Sequence, residues 1–160
     1  MPHILMIATG GTIACCETAH GLSPALDSAA LLGALPELSA LCTVETLDLM
    51  QLDSTDVTAA DRQRMAQAVW QNREKFDGFV LTHGTDTLEE TAYLLDLVHN
   101  SEKPVCLTGA MRSAAEISPD GPVNLLCAVR TAASSEARGK GVLVVMNEEI
   151  HAAREVVKSH

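Results

Sequence analysis

The sequence predicts an α/β domain of three layers, in which a mostly parallel sheet carries helices on both faces. Two observations indicate this class. Apolar stretches of strand length alternate with stretches of helical periodicity, and this order favours a parallel sheet because parallel strands need crossover connections. The 160 residues are also 47% hydrophobic but only 2% aromatic. Aliphatic side chains therefore fill the core, which favours helices packed on a sheet over an aromatic-rich sandwich.

Five stretches have the apolar or β-branched content and the turn-bounded ends of strands. They cover residues 3–8, 43–49, 78–82, 104–108 and 141–146. None approaches the length that a membrane-spanning helix requires. The five stretches therefore predict five strands of one mostly parallel sheet.

Four segments between the predicted strands carry helical patterns. Their bounds are 28–35, 58–75, 87–99 and a segment that starts at Asp120 and places Leu126, Val129 and Ala133 on one stripe. Thr58 followed by Asp61 is typical of a helix start, since a threonine side chain can accept a hydrogen bond from the amide three residues on. Asp120 is expected to cap its helix in a similar way.

The charge and the cysteines exclude several classes of partner and site. The formal net charge is −10 and no basic cluster offsets it, so the surface repels nucleic-acid phosphates and anionic lipids. Five cysteines without framework spacing indicate a reducing compartment, and the adjacent Cys15 and Cys16 are interpreted as packed thiols. Residues 3–8 are too short for a signal peptide and lack its basic leader. We therefore expect one cytoplasmic domain over residues 1–160, without metal, cofactor, nucleic-acid partner or membrane partner.

Small polar residues and glycines cluster just after the predicted strands. The clusters are Thr9–Thr12, Asp53–Asp56, Thr82–Thr87 and Thr108–Arg112, and Lys158 comes a little after the fifth strand. Ligands bind at the carboxyl ends of the strands in open parallel sheets. The sequence therefore predicts one crevice on which five loops converge.

Thr12 is the candidate nucleophile of this crevice. It follows Gly10 and Gly11, whose backbone can approach a ligand closely, although a simple strand-to-loop turn is the alternative interpretation. A hydroxyl nucleophile needs a base and donors for the oxyanion. His83 is one candidate base, but a histidine in such a loop can instead orient backbone through hydrogen bonds. The chain lacks GxGxxG, GxxxxGK[ST] and GxSxG spacing, which argues against a nucleotide site or a serine-elbow hydrolase.

Thr85, Asp86 and Lys158 form a second candidate set. Thr85 or Asp86 could serve only as a helix N-cap, or the same helix start could offer its amides to an oxyanion or a carboxylate. Lys158 alone is typical of a solvated lysine. Beside Asp86 in a desolvated crevice, it could instead activate a hydroxyl or carry its proton.

Several motifs, in chain order, resemble the N-terminal domain of bacterial-type L-asparaginases. They are TGGTIA (9–14), THGTDTLEETA (82–92), TGAMR (108–112), SPDGPVNL (118–125), GVLVVMNEEI (141–150) and the closing REVVKSH. The resemblance covers nearly the whole chain, and TGGTI together with HGTDT is highly specific. It implies a flavodoxin- or Rossmann-like domain that hydrolyses the side-chain amide of L-asparagine to aspartate and ammonia, without a cofactor. Association into a homo-oligomer is expected.

The resemblance also implies catalytic roles for individual residues. Thr12 matches the threonine that attacks the carboxamide carbon. Thr85 and Asp86 match the second catalytic threonine and the aspartate beside it, which also binds the substrate α-amino group. Lys158 matches the lysine of that second set.

Five further positions match substrate contacts of the family. Ser54 and Thr55 match the residues that contact the α-carboxylate and the amine, and Thr55 stands where the family often has glutamine or serine. Gly11, Gly84 and Ala110 match backbone positions that line the pocket.

Two departures from the family pattern leave other functions open. The family's mobile loop after TGGTI usually carries a tyrosine that activates the first threonine, whereas this segment has Leu22 and the chain's one tyrosine, Tyr93, falls in a predicted helix. Residues 14–27 are nevertheless expected to form a mobile lid. Most members also carry a C-terminal domain that completes the neighbouring subunit's site, so this sequence resembles either a short form or a truncated domain. The alternatives are an amino-acid-binding module with little turnover and an ammonia-supplying amidotransferase domain.

Overall fold

The structure, a computed structural model, describes residues 1–19, 21–24 and 26–159. The strands are β1 His3–Gly10, β2 Cys15–Thr18, β3 Gly21–Pro24, β4 Thr43–Leu52, β5 Gly78–Thr82, β6 Val105–Thr108, β7 Val142–Met146 and β8 Glu149–Ala152. The α-helices are α1 Ser28–Gly33, α2 Ala59–Asn72, α3 Leu88–Val98 and α4 Gly121–Ala132.

Six of the strands form one sheet in the order β4-β1-β5-β6-β7-β8. The pairings from β4 through β7 are parallel, and β8 lies antiparallel to β7 at the edge. β2 and β3 pair with each other in a separate antiparallel hairpin. The predicted α/β class with a mostly parallel sheet is confirmed.

The side chains of β1 illustrate why helices cover both faces of the sheet. Ile4 and Met6 belong to the core shared with α1 and α4, whereas Leu5 and Ile7 belong to the core shared with α2 and α3. All four are at most 4% exposed. Successive side chains of a strand point to opposite faces, so a strand that is apolar at every position needs cover on both. The predicted three layers are therefore confirmed.

The start of α2 follows the local sequence signal. Thr58 Oγ1 accepts a hydrogen bond from the Asp61 amide at 3.3 Å, and the Asp61 carboxylate accepts one from the Thr58 amide at 3.0 Å. α2 ends at Asn72, three residues before the predicted end. α1 ends at Gly33, two residues early, because a residue that precedes Pro36 is biased away from helical backbone.

The predicted cap at Asp120 is wrong. Asp120 lies at the N-cap position of α4, but its side chain makes no cap hydrogen bond. The carboxylate instead accepts hydrogen bonds from the amides of Met111 and Arg112 at 2.8 to 3.1 Å. The N-cap of α3 is Thr87, so neither Thr85 nor the aspartate after it fills that role. A distant partner outcompetes the local amide for a polar side chain at the start of α4.

The sequence patterns miss three strands and shorten a fourth. β4 continues to Leu52 rather than ending at residue 49, and β8 follows the last predicted strand. β2 and β3 lie within residues 14–27, which the sequence presents as a lid without regular structure. All four are edge or hairpin strands, which need no continuous apolar run. His20, Ala25 and His160 lie outside the described residues, as do the side chains of Glu17, Thr18, Leu22, Ser23 and Pro24.

Candidate active site

Three loops meet in backbone contact at the carboxyl edge of the sheet. Gly11, after β1, has φ of +80° and lies so close to the next loop that a Cβ there would stand 2.3 Å from the Gly84 nitrogen. A Cβ on Gly84, after β5, would in turn stand 2.6 Å from the Ser54 Cβ, after β4. Only glycine permits this approach and this backbone conformation. The predicted convergence of these loops is therefore present.

Thr12 begins a short 3-10 turn, Thr12–Ala14, directly after Gly11. The residue is partly exposed, and its hydroxyl makes no hydrogen bond with any other residue in the described ranges. Gly11 is held by its amide, which donates to the Leu52 carbonyl at 2.9 Å. The turn thus presents a hydroxyl on a fixed backbone, without a hydrogen-bonded base among the residues whose side chains the structure describes.

Thr85, Asp86 and Lys158 are in direct contact. The Lys158 ammonium donates to Thr85 Oγ1 at 2.9 Å and to Asp86 Oδ1 at 2.5 Å. The lysine side chain is 31% exposed, whereas that of Asp86 is 57% exposed. An ion pair at this exposure contributes little to stability. Its geometry matters more, because one ammonium contacts both a hydroxyl and a carboxylate.

Ser54 and Thr55 use their hydroxyls within the protein. Ser54 is 3% exposed, and its Oγ accepts a hydrogen bond from the Asp86 amide at 3.2 Å. The Thr55 amide and hydroxyl both donate to Asp53 Oδ1, at 3.0 and 2.9 Å. These two bonds hold the pKa of Asp53 below its ordinary value. Ser54 therefore supports the loop that carries Asp86, and its contact with a substrate stays a prediction, as does that of Thr55.

Ala110 lies in a loop that is anchored to α4. Asn124, which is fully buried, donates from Nδ2 to the Gly109 carbonyl at 3.0 Å and to Asp120 Oδ2 at 3.1 Å. Its Oδ1 accepts a hydrogen bond from the Asn147 amide at 2.9 Å. Ala110 itself is 1% exposed and packs in the core. One buried amide side chain thus joins the loops after β6 and β7 to the start of α4.

Burial opposes ionisation of Asp120, but the amides of Met111 and Arg112 outweigh it and hold the pKa of its carboxyl below the ordinary value. Asp120 is therefore charged at neutral pH and fixes both amides. Sequence reasoning missed this role and that of Asn124. A signal was present, since Asn124 places an amide beside Leu125 in the first turn of an otherwise apolar helix.

His83 is not placed to act as a base. The side chain is fully buried, and its Nδ1 lies 2.7 Å from the Gly84 carbonyl while its Nε2 lies 2.9 Å from Thr91 Oγ1. Arg62 Nε donates to the same threonine hydroxyl at 3.1 Å, so a neutral ring with its proton on Nδ1 satisfies every group. Burial lowers the pKa of His83 and keeps the ring neutral. His83 thus orients the loop, which is the alternative that the sequence left open.

An open groove of about 760 Å³ adjoins Thr85 and Lys158. Arg112, Asp120 and His151 also line it, whereas Thr12 does not. The structure therefore brings Thr85, Lys158 and the neighbouring carboxylate together in one contact set. Thr12 is joined to that set only through backbone.

Among the residues that the structure describes, no group of three or more histidine, cysteine, aspartate or glutamate side chains is arranged to hold a metal ion. Nor does the described part include a helix with the length and apolar content needed to cross a membrane.

Comparisons with known proteins agree with the motifs. The family model described as "Asparaginase, N-terminal" matches residues 3–160. The "Probable L-asparaginase periplasmic" of Haemophilus influenzae is 43% identical over 164 residues, which cover 99% of this chain and 47% of that protein. The "Glutaminase-asparaginase" of Acinetobacter glutaminasificans is 39% identical over 163 residues, which cover 98% and 49% respectively.

One solved structure shows how far the fold is shared. The crystal structure of a probable cytoplasmic L-asparaginase from Campylobacter jejuni superposes with a TM-score of 0.92 at 41% identity. The match covers 100% of this chain and 49% of that chain. The chain thus spans about half the length of the curated relatives that it matches.

Proposed function

The chain belongs to the asparaginase family, and from this premise we propose that it carries the catalytic threonines of an amidohydrolase for the side-chain amide of L-asparagine. The observation that carries the proposal is the contact of Lys158 with Thr85 and Asp86. A lysine that contacts both a hydroxyl and a carboxylate can relay a proton between them, which a solvated lysine cannot do. The activities in the relatives' names belong to proteins about twice as long, so the activity of this chain is a proposal to be tested.

The proposed reaction divides the work between the two threonines. Thr12 Oγ attacks the carboxamide carbon and loses its proton, the carbon–nitrogen bond breaks, and the nitrogen leaves as ammonia after gaining a proton. The product is an aspartyl ester on Thr12. Water then attacks the ester carbonyl with help from Thr85, Asp86 and Lys158, and aspartate leaves as Thr12 regains its proton.

The substrate's α-amino group is proposed to bind the half-exposed carboxylate of Asp86. Ser54, Thr55 and the backbone of Gly11, Gly84 and Ala110 complete the proposed contacts. The close contact between Gly11 and Gly84 is proposed to let backbone amides approach a developing oxyanion, where fixed donors are most effective. Choice between asparagine and glutamine stays open, since the relatives' names include both activities.

A second candidate function is an amino-acid-binding module with little turnover. The observation that favours it is the Thr12 hydroxyl, which makes no hydrogen bond to a side chain that the structure describes. Such a pocket would bind aspartate and release it unchanged.

A coupled ammonia-release assay with asparagine and with glutamine, beside isothermal titration with aspartate, separates the two functions. Ammonia release that is lost in Thr12→Ala supports the amidohydrolase. Aspartate binding without ammonia release supports the binding module. Neither binding nor release would contradict both.

We further propose that the chain forms a homo-oligomer in the cytoplasm. Large apolar side chains are exposed at several positions, including Ile117 at 94%, Val157 at 70% and Ile150 at 58%. Where such side chains form one contiguous patch, a partner normally covers it. The five free cysteines support a reducing compartment. Light scattering that finds a monomer at high concentration would contradict the association.

A further inference from the structure

Lys158 lies in an irregular segment after β8, yet its amine reaches a defined position. Two contacts with α3 hold this segment. Arg154 Nε donates to Asp96 Oδ2 at 2.5 Å, and the Lys158 backbone amide donates to Glu89 Oε2 at 2.6 Å. Both acceptors lie on α3, seven residues apart, which is about two helical turns and so one face of the helix. The segment from Arg154 to Lys158 is therefore tied to the helix at both ends.

The two ties differ in their distance from the proposed chemistry. Asp96 also accepts the Val142 amide at 2.8 Å, so that tie fixes the segment to the sheet. Glu89 holds the backbone of the lysine whose amine contacts Thr85. A lysine side chain has four rotatable bonds and loses much rotamer freedom when held in place. Because Glu89 holds the Lys158 backbone amide, backbone motion does not add to the rotamer freedom of the side chain.

We propose that Glu89 is a positioning residue for Lys158, a role that rests on the proposed function of the Thr85–Asp86–Lys158 set. Glu89 contacts the lysine backbone and not the reacting atoms. Its carboxylate holds the segment from Arg154 to Lys158 against α3, and so keeps the lysine amine between Thr85 and Asp86.

Glu90 provides a matched control in the same helical turn. Both carboxylates lie in the first turn of α3, where a negative charge interacts favourably with the helix dipole. Glu90 pairs with Arg62 at 2.7 Å, and its side chain is 62% exposed. Replacing either residue removes the same charge from the same turn, but only Glu89 is bonded to Lys158.

The first test measures the position of the lysine without using activity. Wild type, Glu89→Ala and Glu90→Ala are labelled with an amine-acylating ester, and acylation of Lys158 is followed by peptide mass spectrometry. Loss of one hydrogen bond to a charged group should raise the labelling rate about fivefold in Glu89→Ala and leave it unchanged in Glu90→Ala. Equal rates in the two variants would overturn the proposal, and this readout holds even if the chain releases no ammonia.

The second test measures coupling to Lys158 during turnover. Glu89→Ala should lower kcat about tenfold with little change in KM, and Glu89→Gln, which keeps an acceptor oxygen, should recover part of the rate. In a Lys158→Met background the Glu89 substitution should have no further effect on kcat. Losses that add independently would show a merely structural role and overturn the proposal.

Discussion

The two threonines of the candidate site are held in opposite ways. Thr85 belongs to a hydrogen-bonded network. Its hydroxyl accepts a hydrogen bond from the Lys158 amine, and the neighbouring Asp86 amide donates one to Ser54 Oγ. Thr12 stands on an equally fixed backbone, but its hydroxyl has no partner within the described ranges. The Thr85 hydroxyl therefore has a lysine amine beside it, whereas the Thr12 hydroxyl has no such hydrogen-bonded group.

This difference indicates which of the two threonines needs a further group, a base, before it can react. The Thr85 set needs only residues that the structure places together. Thr12 needs a base from the substrate, from the hairpin of β2 and β3 that follows it, or from another chain. We therefore expect the Thr12 step to be the more sensitive to the surroundings of the domain.

The largest expected effect separates the chemical roles of the two threonines. Thr12→Ala and Thr85→Val should each lose roughly 3–4 kcal/mol of transition-state stabilisation, or two to three powers of ten in rate. After an acid quench, Thr12→Ala should show no adduct, whereas Thr85→Val should accumulate an aspartyl mass increase on the peptide that contains Thr12. Peptide mass spectrometry reads this directly, and an adduct on Thr85 in the wild type would reverse the assignment.

The next effect concerns the backbone contact between the loops of Gly11 and Gly84. Gly11→Ala should lower the free energy of unfolding by roughly 3 kcal/mol, because the new Cβ would meet the Gly84 backbone and the residue has positive φ. Gly139→Ala is the matched control, since Gly139 has φ of +69° but nothing within 4 Å of an added Cβ. Its loss should be about 1 kcal/mol. Equal losses in urea unfolding would mean that the loop contact does not matter.

Lys158→Met tests whether the contacts of Lys158 with Thr85 and Asp86 act in catalysis rather than in folding. The rate should fall about a hundredfold, as for other proton-transfer groups. The melting temperature should stay nearly unchanged, because a half-exposed ion pair contributes little. Lys140→Met, at an exposed lysine away from the network, should change neither quantity. Full activity in Lys158→Met would return this residue to the solvated alternative.

The smallest expected effect is a pH dependence of stability from the loop that carries Thr85. The pKa of His83 is lowered from 6.5 in the folded chain, so the unfolded chain binds the extra proton more readily. The contribution of His83 is therefore complete above pH 6.5 and is lost as the pH falls through the lower, folded pKa. Urea unfolding of wild type and His83→Gln from about pH 7.5 to 5 should show a steeper decline in the wild type. Equal declines of the free energy of unfolding in the two proteins would show that a group other than His83 takes up the proton.

Sequence patterns predicted the features that depend on local or repetitive signals. The continuous apolar run of β1 predicts a strand buried on both faces, and Thr58 with Asp61, three positions on, predicts the start of α2. The prediction that Lys158 lies near Asp86 came from a family resemblance, and the contact is present. The catalytic role of that contact stays a prediction.

The features that sequence patterns missed depend on distant partners. Asp120 reads as a cap from its own neighbourhood, but the amides of Met111 and Arg112 lie closer to its carboxylate. The role of Asn124 requires knowing that loops after two different strands meet at α4. Three of the four residues of β8 are exposed, so no apolar run marks it. Each is fixed by tertiary contacts that no short window of sequence contains.

The long reach of Lys158 has a consequence for folding kinetics. Its amine contacts Thr85 across 73 residues of chain and Asp86 across 72, and three of the six strands of the sheet lie in between. Contacts of such sequence separation raise the contact order, and the entropy of closing the loop is lost before the contact forms. A refolding chain can therefore recover its helices and most of its strands while the lysine is still free. The contact proposed to act in catalysis is then one of the last that the molecule forms, later than the compactness by which folding is usually followed.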